Sequence, residues 1–420
     1  MTVPSAMPVR GSPRRVLISR QFGPFFAGSV LSSIGTWCQN IAAGLLVYEL
    51  TGSTLLVGTV NFAQFIGALV LAPWAGGAAD RFDRRHLLMV SQLAAAAVGG
   101  TLAVLTFAGL VTPALVVGAA LLLGLTLAFM VPALQSLVPL LVAAENLDIA
   151  VSLNSVSFNL ARAIGPVVGA LIVEQAGYGF AFALNAGSFL AFVGALAMVR
   201  PQAQRIVTGP RPRLLEATKL VWRVPVWRAL LLATVALSMS TDPINTLTPE
   251  LAIEVFDGRQ RDAGYLVGAF GVGATVTALS LTTWLARRRH TLVVALVVQG
   301  TGMVLVGLAP TLAIAYAGMA ISGAGFIAGI TRSTARLQAE VPDEFRGRVM
   351  ALWSIAFIGT RPLAALVDGA VAEVAGAQVA TVVLALPVLL AAPFIARELA
   401  RSRSGTLPTQ RSGGGTSVAR

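Results

Sequence analysis

The chain has 420 residues, of which 56% are hydrophobic and only 11% are charged, and its mean hydropathy is +0.80. An average soluble domain carries about 25% charged residues, so this chain lacks the polar side chains that a globular surface of its size would need. The composition excludes a soluble enzyme, a coiled coil and a disordered protein, and it indicates that lipid surrounds most of the chain.

Long apolar segments follow one another along almost the whole sequence, separated by charges, Pro and Gly. Each is close to the ~20 residues that a helix needs to cross a ~30 Å hydrocarbon core. Runs of this length are typical of helices and not of the ~10-residue strands of a membrane barrel. The sequence predicts twelve transmembrane helices, at 22–48, 54–78, 87–109, 113–138, 150–174, 178–199, 228–252, 263–285, 291–309, 311–335, 348–372 and 378–396.

The basic residues indicate the orientation of these helices. Of the 30 Lys and Arg residues, 26 fall in the two tails, the central linker and the loops on one side of the predicted spans. By the positive-inside rule that side is the cytoplasm, and an even number of spans places both termini there. The formal net charge of +12 is explained by this bias, and we expect no nucleic-acid partner.

Two parts of the sequence resemble each other. At an offset of 199 positions Arg162 aligns with Arg361 and Glu174 with Glu373, and at an offset of 205 Asn40 aligns with Asn245. This indicates two parallel repeats of six helices, the organisation of transporters that move around a site near the middle of the membrane. The predicted parts are a cytoplasmic tail at 1–20, bundles at 21–200 and 228–397, a cytoplasmic linker at 201–227 and a disordered cytoplasmic tail at 398–420.

The loop between the second and third spans reads GGAADRFDRR over 76–85. Gly76 permits a close approach of helices, Asp80 can accept hydrogen bonds from the N-terminus of a neighbouring helix, and the arginines can form pairs across the cytoplasmic face. The segment therefore predicts a gate that holds the two halves together on that side, formed by Gly76, Asp80, Arg81, Asp83, Arg84 and Arg85.

This segment resembles the G-x-x-x-D-R-x-G-R-R/K signature of the major facilitator superfamily, with Asp83 in place of the usual Gly. The segments SSIGTW at 32–37 and YELTGS at 48–53 are similar to a bacterial branch, the transmembrane secretion effectors, which includes siderophore and macrolide exporters. The resemblance covers nearly the whole chain. It implies an all-α polytopic membrane protein with the major facilitator fold, twelve transmembrane helices in two six-helix bundles.

The fifth span contains GPVVGA at 165–170, which resembles the G-P-x-x-G-G motif of drug and proton antiporters with Ala170 replacing the last Gly. Pro166 removes a backbone hydrogen bond, and Gly165 and Gly169 allow close packing of a second helix. The resemblance implies a hinge or a seal against leakage. The fourth span has no arginine, so the basic motif that proton antiporters usually carry there is absent.

Four ionisable residues lie deep in the predicted spans, namely Arg162, Arg361, Asp242 and Asp368. Such groups are costly in a bilayer and are candidates for function. Asp242 is the first candidate for a proton carrier and Asp368 the second. Alternatively, Asp242 caps the helix that Pro243 breaks, or pairs with an arginine. The arginines bind an anionic group of the substrate, neutralise the aspartates, or belong to the cytoplasmic gate with Glu145 and Glu344 as partners. We favour the gate or structural pairing over direct contact with substrate.

Neutral polar and aromatic residues within the spans are candidates for a substrate cavity. Each Asn or Gln can also bond a neighbouring helix. Together they suit a bulky lipophilic or amphipathic solute better than a sugar or an inorganic ion. The cavity candidates are Trp37, Asn40, Gln64, Asn154, Asn245 and Trp353, with Gln39, Gln135 and Asn159 as further polar residues.

The sequence predicts a secondary active transporter that exports a lipophilic or amphipathic small molecule, a drug-like compound or a siderophore, in exchange for protons. It lacks a Walker A motif, a metal-ligand cluster and a catalytic constellation, so we expect neither an enzyme nor a metal or cofactor, with the proton gradient as energy source. Uptake by symport and a receptor or scaffold that does not transport are the alternatives. We expect a monomer in the cell membrane, with the small-molecule substrate and the lipid bilayer as its partners.

Overall fold

The computed structural model describes residues 12–201, 214–280 and 290–404. Parts of the predicted tails and linker, at 1–11, 202–213 and 405–420, lie outside the described residues. The surroundings of Gly76 in the predicted gate, and the side chains of Asp80 and Glu344, also lie outside the described set. Among the described residues, ten helices are long and apolar enough to cross a membrane.

The N-terminal bundle is built from long helices that follow the predicted spans. Side-chain caps set several of their starts, because the hydroxyls of Ser53 and Thr112 accept hydrogen bonds from the amides of Leu56 and Leu115. The helices are α1 (Pro13–Leu17), α2 (Phe22–Thr51), α3 (Thr54–Arg81), α4 (Arg84–Phe107), α5 (Pro113–Leu137), α6 (Leu147–Ala176) and α7 (Tyr178–Met198).

The C-terminal part follows the other predicted spans with more interruptions. A linker helix, α8 (Leu214–Arg223), precedes it. Its helices are α9 (Pro225–Met239), α10 (Pro243–Thr246), α11 (Thr248–Glu250), α12 (Gln260–Ser280), α13 (Thr291–Gly307), α14 (Leu312–Glu340), α15 (Asp343–Ile358), α16 (Arg361–Ala375) and α17 (Ala377–Ser404). The 17-residue apolar helix α13 takes the place of the ninth predicted span.

Two predicted spans are broken into shorter helices. The seventh, predicted over 228–252, consists of α9, α10, α11 and a π-helical turn at Leu251–Val255. The predicted break beside Pro243 is confirmed. The eleventh predicted span, 348–372, is present but interrupted: α15 ends at Ile358 and α16 begins at Arg361. Pro362 explains this break, because it has no N–H to donate to the carbonyl of Ile358 and its ring would clash with that carbonyl.

The two bundles meet along two pairs of helices. One seam joins α6 to α12, and the other joins α3 to α16. The first is lined by three glycines of α12 at Gly264, Gly268 and Gly271, whose missing side chains leave room for residues 163–170 of α6. In the second, Gly369 of α16 packs on the backbone of Leu55. Small residues let the helix backbones of opposite bundles approach closely.

The backbone repeats at the same offsets as the sequence. Gly177 ends α6 and Gly376 ends α16, with φ of 89° and 83°, and these two positions lie 199 residues apart. At the offset of 205, Gly52 and Asp257 both have positive φ, 64° and 50°. The backbone conformation of these turns therefore repeats at the two offsets at which the sequence repeats.

The ends of the bundles differ in charge. We call one the acidic end, defined by Glu49, Glu174, Glu250, Glu254 and Glu373, and the other the basic end, which includes Arg81, Arg84, Arg85, Arg200 and Arg228. The seam along α6 runs from the acidic end to Ala163, which contacts Gly271. Nearer the basic end, six of the ten residues 151–160 of α6 are exposed, against one of ten in 161–170. The bundles are therefore packed together in their acidic-end halves and separate along α6 towards the basic end.

Candidate functional site

Asp242 lies at the break in the seventh span, between α9 and α10, and is 1% exposed. It occupies the position before Pro243 where a capping side chain is expected, yet its carboxylate accepts no backbone N–H. The alternative that Asp242 caps the broken helix is therefore wrong. Its Oδ2 accepts a 3.4 Å hydrogen bond from the hydroxyl of Thr246, and its Oδ1 has no partner in the described structure.

Asp368 on α16 is fully buried and faces Asp242 within hydrogen-bonding reach. Neither of its oxygens meets a hydrogen-bond donor among the described residues. Two carboxylates are both acceptors, so a hydrogen bond between them requires one proton on the pair. The two proton-carrier candidates of the sequence thus lie together, and the geometry suits a pair that holds one proton.

Arg361 is at the first position of α16, directly after the break in the eleventh span. It is close enough to Asp242 for an electrostatic attraction, without a direct ion pair between the two in the described structure. Its guanidinium carbon lies 5.3 Å from the ring centroid of Phe65 on α3 and 5.0 Å from that of Phe357 on α15. The alternative that an arginine neutralises the aspartates is therefore compatible with the position of Arg361.

Arg162 lies in the middle of α6 and is 6% exposed. Its guanidinium carbon is 5.6 Å from the ring centroid of Trp37, 4.6 Å from that of Phe270 and 5.1 Å from that of Phe326. Within the part of the chain that the structure describes, it forms no hydrogen bond or ion pair. Glu145, the predicted gate partner, is exposed at the basic end before α6 begins, so the structure does not bring these two residues together.

A small cavity lies between the bundles, next to the two arginines. Trp37, which contacts Arg162, and Phe65, which contacts Arg361, both line it. Four of the six predicted cavity residues are in its lining, namely Trp37, Asn40, Gln64 and Asn245, together with Ile41, Asn61, Phe65, Pro166 and Val267.

The two other cavity candidates lie elsewhere. Asn154 is half-buried on α6, on the basic-end side of Arg162. Trp353 stacks on Phe357 with centroids 5.3 Å apart, and its indole N–H is buried without a partner among the described residues. Of the further polar residues, Gln39 accepts a 2.7 Å hydrogen bond from Asn185, which is the structural role that a membrane amide often has.

Sequence reasoning missed the aromatic rings that surround the arginines. In an apolar sequence, the residues that flank these phenylalanines in the chain do not set them apart from other phenylalanines. The four rings are those of Phe65, Phe270, Phe326 and Phe357. One signal was present, because Phe65 and Phe270 lie 205 positions apart, at the second repeat offset. Asn61 was also missed; its amide donates a 3.1 Å hydrogen bond to Thr246, which connects α3 to the broken seventh span.

The residues of the predicted hinge motif join α6 to two helices. A side chain at Gly169 would lie 2.7 Å from the backbone of Cys38 on α2, and Gly165 faces Trp37 and the backbone of Ile34. On the other side of α6, the backbone of Pro166 faces Gly264 of α12. The motif thus lies where α6 is enclosed between its own bundle and the opposite one.

The arginines of the predicted gate are anchored in the N-terminal bundle. Arg85 donates hydrogen bonds of 2.7 and 2.8 Å to the carbonyls of Leu196 and Ala197 at the end of α7, and Arg84 donates one of 3.3 Å to Ser136 on α5. Asp83 caps α4 through the amide of His86 at 2.8 Å. Arg81 is exposed. These contacts hold the basic end of one bundle together.

Several polar contacts between the bundles, among the residues that the structure describes, lie at the acidic end. Glu174 pairs with Arg259 and Arg261 at 3.7 and 3.6 Å, and Glu373 accepts a 3.0 Å hydrogen bond from Ser53 and one of 3.4 Å from the amide of Leu55. The two glutamates are equivalent in the repeat, and each reaches the start of a helix in the other bundle.

Glu250 and Glu49 add two further connections at this end. Glu250 accepts hydrogen bonds from Thr54 and from the amide of Ala377, and Glu49 accepts a 2.7 Å hydrogen bond from Gln260. The described residues contain no group of three His, Cys, Asp or Glu that could hold a metal ion.

Two helical bundles that enclose buried charges in a membrane protein have the architecture of a major facilitator transporter. The family model of the transmembrane secretion effectors matches residues 13–406, so the chain belongs to that family. The resemblance inferred from the sequence motifs is thereby confirmed.

The chain is similar to named exporters over most of its length. It is 27% identical over 380 residues to the multidrug efflux pump Tap of Mycolicibacterium fortuitum, covering 86% of this chain and 91% of that protein. It is 26% identical over 350 residues to the enterobactin exporter EntS of Shigella boydii, covering 79% of this chain and 80% of that protein. It is 24% identical over 347 residues to the macrolide efflux protein A of Streptococcus pyogenes, covering 79% and 84%.

Solved structures share the fold at low sequence identity. A bacterial homologue of the lysosomal transporter Spinster superposes with a TM-score of 0.73 at 12% identity, covering 95% of this chain and all of that one. The D-xylose-proton symporter superposes with a TM-score of 0.71 at 16% identity, covering 92% and 99%. The protein is therefore a multi-pass membrane protein with the major facilitator fold.

Proposed function

We propose that the protein is a proton-coupled exporter of lipophilic or amphipathic small molecules that works by alternating access. The observation that carries this proposal is the pair of buried carboxyl groups, Asp242 and Asp368. Arg361 attracts Asp242, and hydrogen bonds through Thr246 connect Asp242 to Asn61 in the cavity lining. A proton bound by this pair neutralises one charge at a point where the helix is already broken. Its binding and release can therefore be coupled to movement of the bundles.

The basic end faces the cytoplasm in this proposal, because positively charged loops are retained on that side. The bundles are packed together at the acidic end, so the described conformation is closed to the outside. A solute reaches the cavity from the cytoplasm, and separation of the acidic-end contacts releases it outside. One chain contains both bundles and the whole cavity, and we place a single copy in the functional unit.

The proposed direction of transport, which is export, is inferred from the relatives. Tap, EntS and the macrolide efflux protein are named as efflux or export proteins and resemble this chain over most of its length. Their names refer to multidrug efflux, enterobactin export and macrolide efflux. The apolar and carboxamide lining of the cavity suits lipophilic or amphipathic molecules.

The test uses inverted membrane vesicles with an imposed pH gradient and a panel of lipophilic drugs and siderophores. The wild-type protein is expected to accumulate at least one member against its concentration gradient. Asp242→Asn is expected to abolish this accumulation and to retain exchange of the same solute between the two sides. Asp148→Asn, a change at an exposed carboxylate of the basic end, is the matched control. Movement only down the solute's own gradient, or full accumulation by Asp242→Asn, would contradict the proposal.

A further inference from the structure

Arg162 is a buried positive charge without a counter-ion among the residues that the structure describes. It is 6% exposed, and its position in the middle of α6 is far from either membrane surface. A charge buried in a protein within a membrane is normally paired, because the loss of its hydration is costly. Arg361, the equivalent residue in the other repeat, has Asp242 nearby, whereas Arg162 has only the repulsion of Arg361.

The aromatic rings around Arg162 compensate only part of this cost. Trp37, Phe270 and Phe326 present their π-electrons to the guanidinium group within 5.6 Å, and such contacts stabilise a cation. The rings of phenylalanines, however, accept no conventional hydrogen bonds. The guanidinium group has five N–H donors in a planar arrangement that matches two oxygen atoms of a carboxylate or a similar acid. The environment therefore supplies charge stabilisation and apolar surface but leaves the donors unused.

Trp37 connects this group to the cavity, because it contacts Arg162 and also lines the cavity wall. On the same wall, Pro166 lies one helical turn after Arg162. The remaining polar lining consists of the carboxamides of Asn40, Asn61, Gln64 and Asn245, which are neutral. Of the two arginines next to the cavity, Arg361 has Asp242 nearby, so Arg162 is the positive charge left to a solute beside apolar and aromatic surface.

We propose that Arg162, together with Trp37, Phe270 and Phe326, forms a subsite for an acidic group of the transported solute. The ligand class is an apolar or aromatic molecule with a single carboxylate or comparable acid. The acid binds the guanidinium donors, and the apolar part occupies the cavity beside Trp37. The inference rests on the proposed transport function and narrows its substrate class.

The experiment measures equilibrium binding to the purified full-length protein, without any gradient. Calorimetry compares 2-naphthoate with the uncharged 2-naphthamide, which has the same ring system and nearly the same shape. The wild-type protein is expected to bind the acid at least about tenfold more tightly than the amide, since a charged hydrogen-bonded pair is worth that much. Arg162→Met is expected to lose this preference, with little change for the amide, and Arg162→Lys to retain part of it.

Two controls identify the responsible charge. Arg336→Met removes an arginine that pairs with Glu340 at the basic end, and it is expected to keep the full preference. Arg361→Met tests the equivalent arginine. The proposal is overturned if the wild-type protein binds the two probes equally or binds neither. It is also overturned if the preference for the acid survives in Arg162→Met or depends on Arg361 alone. Since the measurement needs no proton gradient, its failure is separate from a failure of proton-coupled export.

Discussion

The guanidinium carbon of Arg162 lies 4.6 Å from the ring centroid of Phe270, across the boundary between the two bundles. Arg361 makes the reciprocal contact with Phe65, at 5.3 Å. The two arginines lie 199 positions apart and the two phenylalanines lie 205 positions apart, which are the two offsets of the sequence repeat. The two contacts are therefore equivalent in the repeat. Each bundle therefore inserts a positive charge against an aromatic ring of the other.

The first prediction concerns this reciprocal contact. Phe270→Leu is expected to lower the melting temperature of the purified protein, because it removes a cation–π contact worth about 0.5–2 kcal/mol. In the Arg162→Met background, Phe270→Leu is expected to lower the melting temperature less than in the wild type, since the charge that the ring stabilises is already absent. Phe192→Leu, a change of a buried phenylalanine within the N-terminal bundle, is the control and should be additive with Arg162→Met. Strict additivity in the first pair would contradict the contact.

A second prediction concerns the carboxyl pair. Asp242→Asn and Asp368→Asn are each expected to abolish accumulation driven by a pH gradient, because each removes one half of the group that shares the proton. The double variant is expected to be no more impaired than either single one, as is typical of residues that act as a unit. The measurement is vesicle accumulation at saturating solute. Partial losses that multiply in the double variant would indicate two independent proton sites.

The third prediction concerns the glycine seam between α6 and α12. A Cβ at Gly264 would lie 2.5 Å from the carbonyl oxygen of Pro166 and from the Cβ of Ala170. Gly264→Ala is therefore expected to push the bundles apart at the acidic end, although alanine favours helix by about 1 kcal/mol. Gly194→Ala is the control, because a side chain there meets nothing within 4 Å.

Spin labels provide the measurement for this seam. Cys38 is the only cysteine, so labels at Leu110→Cys and Leu308→Cys in a Cys38→Ser background report the separation of the bundles. Both leucines are exposed, 63% and 68%, in turns at the acidic end. In Gly264→Ala we expect the distance between the two spin labels to increase, or a larger fraction of the molecules to show the longer of two distances. An unchanged distance distribution would show that the seam tolerates a methyl group.

A fourth prediction separates the two equivalent glutamates of the acidic end. Glu174 pairs with two partly exposed arginines, whereas Glu373 accepts hydrogen bonds from Ser53 and Leu55. High salt is expected to weaken the Glu174 pairs and to mimic Glu174→Gln, because exposed ion pairs are screened. The same spin-label pair should report the shift, at most about tenfold in population. If salt also abolished the effect of Glu373→Gln, the assignment of neutral contacts to Glu373 would be wrong.

The sequence predicted the membrane fold well because lipid imposes long apolar helices whatever their contacts. It also predicted the break at Pro243, since proline cannot continue a helical hydrogen-bond pattern. It did not predict the break before Arg361, although Gly359 and Pro362 flank that residue and were available as signals. Apolar composition alone made the eleventh span look continuous.

The contents of the site were predicted in part. The repeat identified Arg162 and Arg361 as equivalent residues, and the predicted gate gave them Glu145 and Glu344 as partners, from the chain near the basic end. Packing at the middle of the bundles instead surrounds the arginines with phenylalanines from several helices. A contact between Phe270 and Arg162 depends on how two bundles dock, and hydrophobic periodicity within one helix contains no information about that.

The broken helices give the molecule a mechanical asymmetry. Asp242 and Arg361 lie at interruptions of the seventh and eleventh spans, where the regular ladder of backbone hydrogen bonds stops, and both belong to the C-terminal bundle. The equivalent Arg162 belongs to an uninterrupted helix of 30 residues. The N-terminal bundle can therefore act as the rigid half of the molecule. A change of charge at the carboxyl pair acts directly on the flexible helix breaks of the C-terminal bundle, which moves relative to it.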